Sequence, residues 1–122
     1  MLKKENRLKN KRAFTATYLN NNVVGSKDLV VYAGKQKEDK NCPTRVGFVV
    51  SKKVHKRATK RNRLKRLMRE IIRLMFINNE LTKLNNYQSL IFVAKENILE
   101  KNFQEIRNTI LILMDKLANK NI

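Results

Sequence analysis

"TRVGFVVSKK" (residues 44–53), followed shortly by "ATKRNRLKRLMREIIRLMFIN" (residues 58–78), contains a change of period that decides the fold. In the first stretch Val46, Phe48 and Val50 alternate with Arg45, Gly47, Val49 and Ser51. A period of two puts successive side chains on opposite faces of a strand. In the second, Leu64, Leu67, Met68, Ile71 and Met75 recur at helical spacing and fall within about 100° of arc, the apolar stripe of a helix lying on a core. The reading is a strand that delivers Ser51, Lys52 and Lys53 to its exit, then a long helix over residues 58–79.

Outward from this pair the chain repeats both periods. "DLVVYAG" (28–34) is rich in β-branched residues and reads as a strand ended by Gly34. "NNYQSLIFVAK" (85–95) is a further strand after an Asn-rich turn, and residues 35–43 form a polar turn closed by Pro43. "NKRAFTATYLN" (10–20) predicts a short helix with Asn10 as its cap and Phe14 and Tyr18 on one face. Residues 20–27 read as a loop passing into a short extended piece. Phe103, Ile106, Ile110, Leu113 and Leu117 mark an amphipathic C-terminal helix. The order α-β-β-β-α-β-α predicts an α+β two-layer sandwich forming one domain over residues 1–122, with residues 1–9 as a mobile basic segment.

Charge narrows the function. Lys and Arg number 28 against 10 acids, a formal net charge of +18 in 122 residues. A compact domain with that charge repels itself, so a polyanionic partner is expected, nucleic acid before an anionic membrane. The start, Met1 to Glu5, lacks the apolar core of a signal peptide, and no apolar run approaches the roughly 20 residues of a membrane span. The lone Cys42 allows neither an internal disulfide nor a cysteine-based metal site. A cytoplasmic address, without membrane contact, is the expectation.

Arginine is placed more selectively than lysine. Six of the ten arginines fall between residues 57 and 73. On the helical wheel Asn62, Arg66, Arg69 and Arg73 form a row nearly opposite the apolar stripe, Lys65 flanks it, and Arg61 lies nearer the stripe's edge. Like charges three or four residues apart repel by a few tenths of a kcal/mol per pair, roughly. Only Glu70 stands close enough in sequence to offset any of it. A guanidinium grips phosphate with two parallel hydrogen bonds and stacks on bases, so the row reads as a phosphate-binding track. Lys52, Lys53, Lys56 and Arg57 extend it through the preceding turn. Phe14, Tyr18 and Tyr32 are either core residues or the walls of a groove in which unpaired bases stack.

Catalytic chemistry in the protein itself is not indicated. There is one histidine, His55, and the acids nearest one another (Glu38 with Asp39, Glu96 with Glu100) lack the paired-carboxylate pattern of a metal nuclease. Three binding functions remain open on these residues. They are an RNA-binding subunit of a ribonucleoprotein nuclease, a ribosomal-protein-like structural module on ribosomal RNA, and a DNA-binding module. The last lacks a helix directly before residues 60–73 to complete a helix-turn-helix.

"RNRLKRLMR" (61–69), preceded by "RVGFVVSKK" (45–53), with "NRL" (6–8), Phe14 and Tyr18 upstream and "LIFVAK" (90–95) downstream, resembles the protein subunit of bacterial ribonuclease P. The likeness covers almost the whole chain in matching order. It implies an α+β sandwich with a left-handed β-α-β crossover. It further implies binding to a large catalytic RNA that, with bound Mg²⁺, removes the 5′ leader from precursor tRNA, the protein being accessory and needing no further protein partner. By that resemblance Arg61, Asn62, Arg63, Lys65, Arg66 and Arg69 face the catalytic RNA, and the same contact is expected of Arg73, which continues their row, and of Lys52 and Lys53, the basic pair leaving the strand before them. Phe14, Tyr18 and Tyr32 match the family's leader cleft. Thr17, Val49 and Lys95 depart from its usual valine, small hydroxyl residue and arginine.

Overall fold

The computed structural model describes residues 4–39, 42–78 and 86–120. Its main elements are α1 (Lys11–Leu19), β1 (Asn22–Gly25), β2 (Leu29–Ala33), β3 (Arg45–Val49), α2 (Ala58–Ile77), β4 (Ser89–Ala94) and α3 (Phe103–Lys120), with 3₁₀ turns at Lys4–Asn6 and Glu96–Glu100. The order α-β-β-β-α-β-α is the expected one. Asn79 and Asn85, expected in the second helix and last strand, lie outside the described residues.

The strands form one mixed sheet in the order β1-β2-β4-β3. β1 pairs antiparallel with β2, and β2 antiparallel with β4, whereas β3 and β4 run parallel. A parallel pair needs a long crossover, and α2 supplies it. Residues 22–25, read from sequence as an extended piece, are therefore a true edge strand, with Val23 opposite Tyr32.

One sheet face makes the core. Leu29, Val31 and Ala33 of β2, Leu90 and Phe92 of β4 and Val46 of β3 pack beneath Met68, Ile71, Ile72 and Met75 of α2 and Ile106, Ile110, Leu113, Met114 and Leu117 of α3. Phe48 stacks on Phe92 with ring centroids 5.7 Å apart. Each large apolar side chain so enclosed contributes about 1.5–3 kcal/mol, before the entropy of ordering it.

The other face carries α1. Asn10 caps this helix, its side-chain oxygen accepting from the Arg12 N–H at 2.9 Å. Gly47 has no side chain because the Phe14 ring lies there: a Cβ would stand 2.5 Å from the ring's tip. One turn later Thr17 is buried, donating to the Ala13 carbonyl at 2.8 Å and meeting the Ser89 hydroxyl at 2.6 Å. That second contact explains the departure at this position, since a valine would strand the Ser89 hydroxyl against the helix.

Within the segment expected to be mobile, residues 6–8 make contacts with β3 and the residue before it. Leu8 is buried and its N–H donates to the Val46 carbonyl at 2.9 Å, Arg7 bridges to Val46, and the Asn6 amide donates to the Thr44 carbonyl at 2.9 Å. β3 is an edge strand, and its outward backbone groups give this segment something to pair with.

Candidate nucleic-acid interface

α2 begins without a side-chain cap, and its first turn holds no acid. Lys60 and Arg61 stand there instead, against the helix dipole, which favours negative charge at that end. The arrangement is stabilised when an anion arrives. Asn62, Arg63, Arg66 and Arg69 are exposed along the helix, Lys65 is half-buried, and Lys52 and Lys53 are exposed in the turn after β3.

Two arginines of α2 are engaged within the fold. Arg61 donates from one guanidinium nitrogen to the His55 carbonyl at 3.0 Å and the Lys56 carbonyl at 2.8 Å, so it ties down the turn leading into α2. Arg73 grips Glu70 with two nitrogens, its Nε donating to Oε2 at 3.0 Å and its Nη2 to Oε1. Glu70, offset from the row by one position, thus neutralises its last member. The hydrogen bond from Arg73 lowers the Glu70 pKa below the ordinary carboxylate range and raises that of Arg73. A depressed carboxylate pKa makes the pair's contribution present above the unfolded value and lost as pH falls through the folded one. Glu70→Gln is expected to free Arg73. In titrations at several salt concentrations, RNA binding should tighten and its salt slope should steepen by up to about 0.9, the share of one phosphate contact.

Arg66 and Arg69 are left for a ligand, and the fold sets them beside an aromatic ring. A cleft of about 650 Å³ wraps round the β3 edge, lined by Phe14, Gly47 and Phe48, by Arg7 and Lys9, and by Arg66, Arg69 and Glu70. Arg7 and Lys9 were missed from sequence because their segment was set aside as mobile. Tyr18 and Tyr32 do not line this cleft. They meet edge-to-face on the same side of the sheet, centroids 4.8 Å apart, and burial followed by the neighbouring Tyr32 raises the Tyr18 pKa.

Beyond α1 that sheet face continues. Val30, Val93 and Val49 form the next cross-strand row and are only half-buried. Past the ends of β3 and β4 lies a second cleft, about 380 Å³, where Lys27, Ser51, Lys53 and Lys95 gather with Glu96. Lys95 donates to the Ser26 carbonyl at 2.9 Å. The sequence-predicted residues are therefore divided: Phe14, Arg66 and Arg69 share one cleft, Tyr18 and Tyr32 meet elsewhere on the sheet face, and Lys53 lines the cleft past the ends of β3 and β4. Lys27 and Lys95 join the site only through the β2–β4 pairing, which no local pattern reveals.

Among the described residues no group of three His, Cys, Asp or Glu is placed to hold a metal ion, and no helix is long and apolar enough to cross a membrane.

The family model for Ribonuclease P matches residues 2–118. The "Ribonuclease P protein component" of Alkaliphilus oremlandii is 36% identical over 116 residues, covering 95% of this chain and 94% of that protein. That of Symbiobacterium thermophilum is 32% identical over 115 residues, covering 94% and 93%. The RNase P protein of Staphylococcus aureus superposes with a TM-score of 0.72 at 25% identity, covering 92% of this chain and 94% of that one. With a family match over nearly its whole length and relatives more than 30% identical across most of it, the chain belongs to the ribonuclease P protein family.

Proposed function

We propose that this protein, the accessory subunit of a tRNA-processing ribonucleoprotein endonuclease, divides its surface between two RNAs. Arg66 and Arg69 of α2, with Asn62, Arg63 and Lys65, dock on the catalytic RNA. The face between α1 and the sheet takes the single-stranded 5′ leader of precursor tRNA, its bases against Phe14 and the Tyr18–Tyr32 pair and its phosphates toward Lys53 and Lys95. The observation that supports this reading is the cleft shared by Phe14, Arg66 and Arg69. Cleavage requires the leader and the catalytic RNA to meet, and at the β3 edge a stacking ring and two free arginines stand together.

In this reading Mg²⁺ is held by the RNA subunit and supplies the chemistry of phosphodiester hydrolysis. The protein binds, orients and neutralises charge, in the cytoplasm and without a further protein partner. Reconstitution with a bacterial ribonuclease P RNA and precursor tRNA at low Mg²⁺ tests it. The protein should restore cleavage and favour precursor over mature tRNA. Phe14→Ala should erode that preference by about 1–3 kcal/mol, the value of one base stacked on an aromatic ring, with mature tRNA processed-end binding unchanged. A protein that neither restores cleavage nor distinguishes the two tRNAs would sink the proposal.

A further inference from the structure

On the opposite flank of α2 from the Phe14 cleft lies a second groove, about 700 Å³, between α2 and the segment that joins β4 to α3. Its floor is apolar: Leu64 and Leu67 from α2, Leu99 from the 3₁₀ turn and Phe103 from the start of α3. Its rim is basic, with Lys60, Arg63, Arg66 and Lys101. Part of the floor is shared with the core, in which Leu64 is buried and against which Leu67 and Phe103 pack. Ile98 fully buries itself as the anchor of the turn, while Leu99 beside it is 44% exposed.

The groove's charges are unbalanced. Glu70, the carboxylate at its edge, is engaged by Arg73, and Glu105 stands 3.8 Å from Lys101. Among the described residues no acid pairs with Lys60, Arg63 or Arg66. A floor of half-buried Leu67 and Phe103 and exposed Leu99, inside a cationic rim, fits a ligand with a flat apolar body and anionic flanks. An unpaired nucleotide has that form, because a base outside a duplex offers its whole face for stacking while its phosphates remain at the rim. A base within a duplex shows only its edge and would leave the floor empty.

We infer that this groove receives one unpaired base extruded from the catalytic RNA, with the phosphates on either side of it held by Arg63 and Arg66. The inference rests on the reading that α2 docks on that RNA. Arg66 lines both this groove and the Phe14 cleft, so a backbone crossing the helix at Arg66 passes directly over the groove's mouth. The site is separate from the leader face and would fix the register of the RNA along α2.

The test uses the full-length protein bound to a bacterial ribonuclease P RNA. Leu99→Gln keeps the charge and alters a side chain that the core does not need. It should weaken binding about tenfold with the salt slope unchanged, since no phosphate contact is removed. At saturating protein, one unpaired nucleotide protected from base-modifying reagents in the wild-type complex should become reactive in the variant. Arg66→Ala and Arg69→Ala run alongside. If they lower the salt slope while the reactivity profile of Leu99→Gln matches wild type, the docking reading stands and the base site is overturned, whatever the variant's affinity. If the arginine variants leave the slope unchanged, the docking reading falls and takes the base site with it. A photocrosslinking side chain at position 99 supplies an independent readout: reaction with one nucleotide supports the site, and reaction spread along a paired stem overturns it.

Discussion

Replacing Arg66 and Arg69 together by alanine is expected to weaken binding of the catalytic RNA by about a hundredfold or more. A hydrogen bond to a charged group is worth about 1.5–3 kcal/mol, and this variant removes the two arginines that combine exposure with a place in the Phe14 cleft. The slope of log affinity against log salt should fall by roughly 0.7–0.9 per arginine. The fold should be untouched, because both side chains project from the core-distant face of α2. The informative comparison is Arg61→Ala with Arg73→Ala, the same nominal charge change. Arg61 is spent on the His55 and Lys56 carbonyls and Arg73 on Glu70, so this second pair should flatten the salt slope less. Equal slopes in the two double variants would show that position along the row does not matter and that α2 acts only as a diffuse positive charge.

The largest effect on stability is expected from Phe92→Ala. Phe92 is fully buried in the central strand, stacked on Phe48 and opposite Val31. Phe→Ala changes in such sites cost about 3–5 kcal/mol through lost transfer energy and the cavity left behind. That is a large part of the roughly 5–15 kcal/mol that holds a domain of ordinary stability together. Urea unfolding should show a lower midpoint at an unchanged slope. Added RNA should recover part of the loss by mass action, since it binds only the folded chain. A midpoint within error of wild type would mean that the sheet face is not the core.

What was legible in the sequence depended on period and on local chemistry. The alternation at 45–51 fixed which face of β3 turns inward, and the Leu64-to-Met75 stripe oriented α2, because both patterns sit within a single element. The Asn10 cap was readable for the same reason. Contacts made across the fold were not. Leu8 pairs with Val46, 38 residues away in the chain, so its burial has no local signature and the segment read as loose charge. Arg61 and Arg66 carry the same side chain in the same motif, yet one closes a turn and the other lines two clefts. Ile98 and Leu99 fall in a 3₁₀ turn whose spacing matches neither a strand nor an α-helix, which is why the groove beside α2 went unseen. The division of labour among the aromatics needed the β2–β4 register, which brings Tyr32 to Ile91 and thereby under α1.

The strand order also has a consequence during synthesis. β2 and β3 are both complete before α2 is made, but they do not touch each other; each pairs with β4, the last strand in the chain. Until Ala94 has left the ribosome, the nascent chain holds only the β1–β2 hairpin, and a two-stranded hairpin is marginal at best in water. α2 therefore emerges with its apolar stripe uncovered and its arginines already presented, next to a large body of ribosomal RNA. Folding becomes a late event in which β4 inserts between two waiting strands and closes the sheet nearly at once.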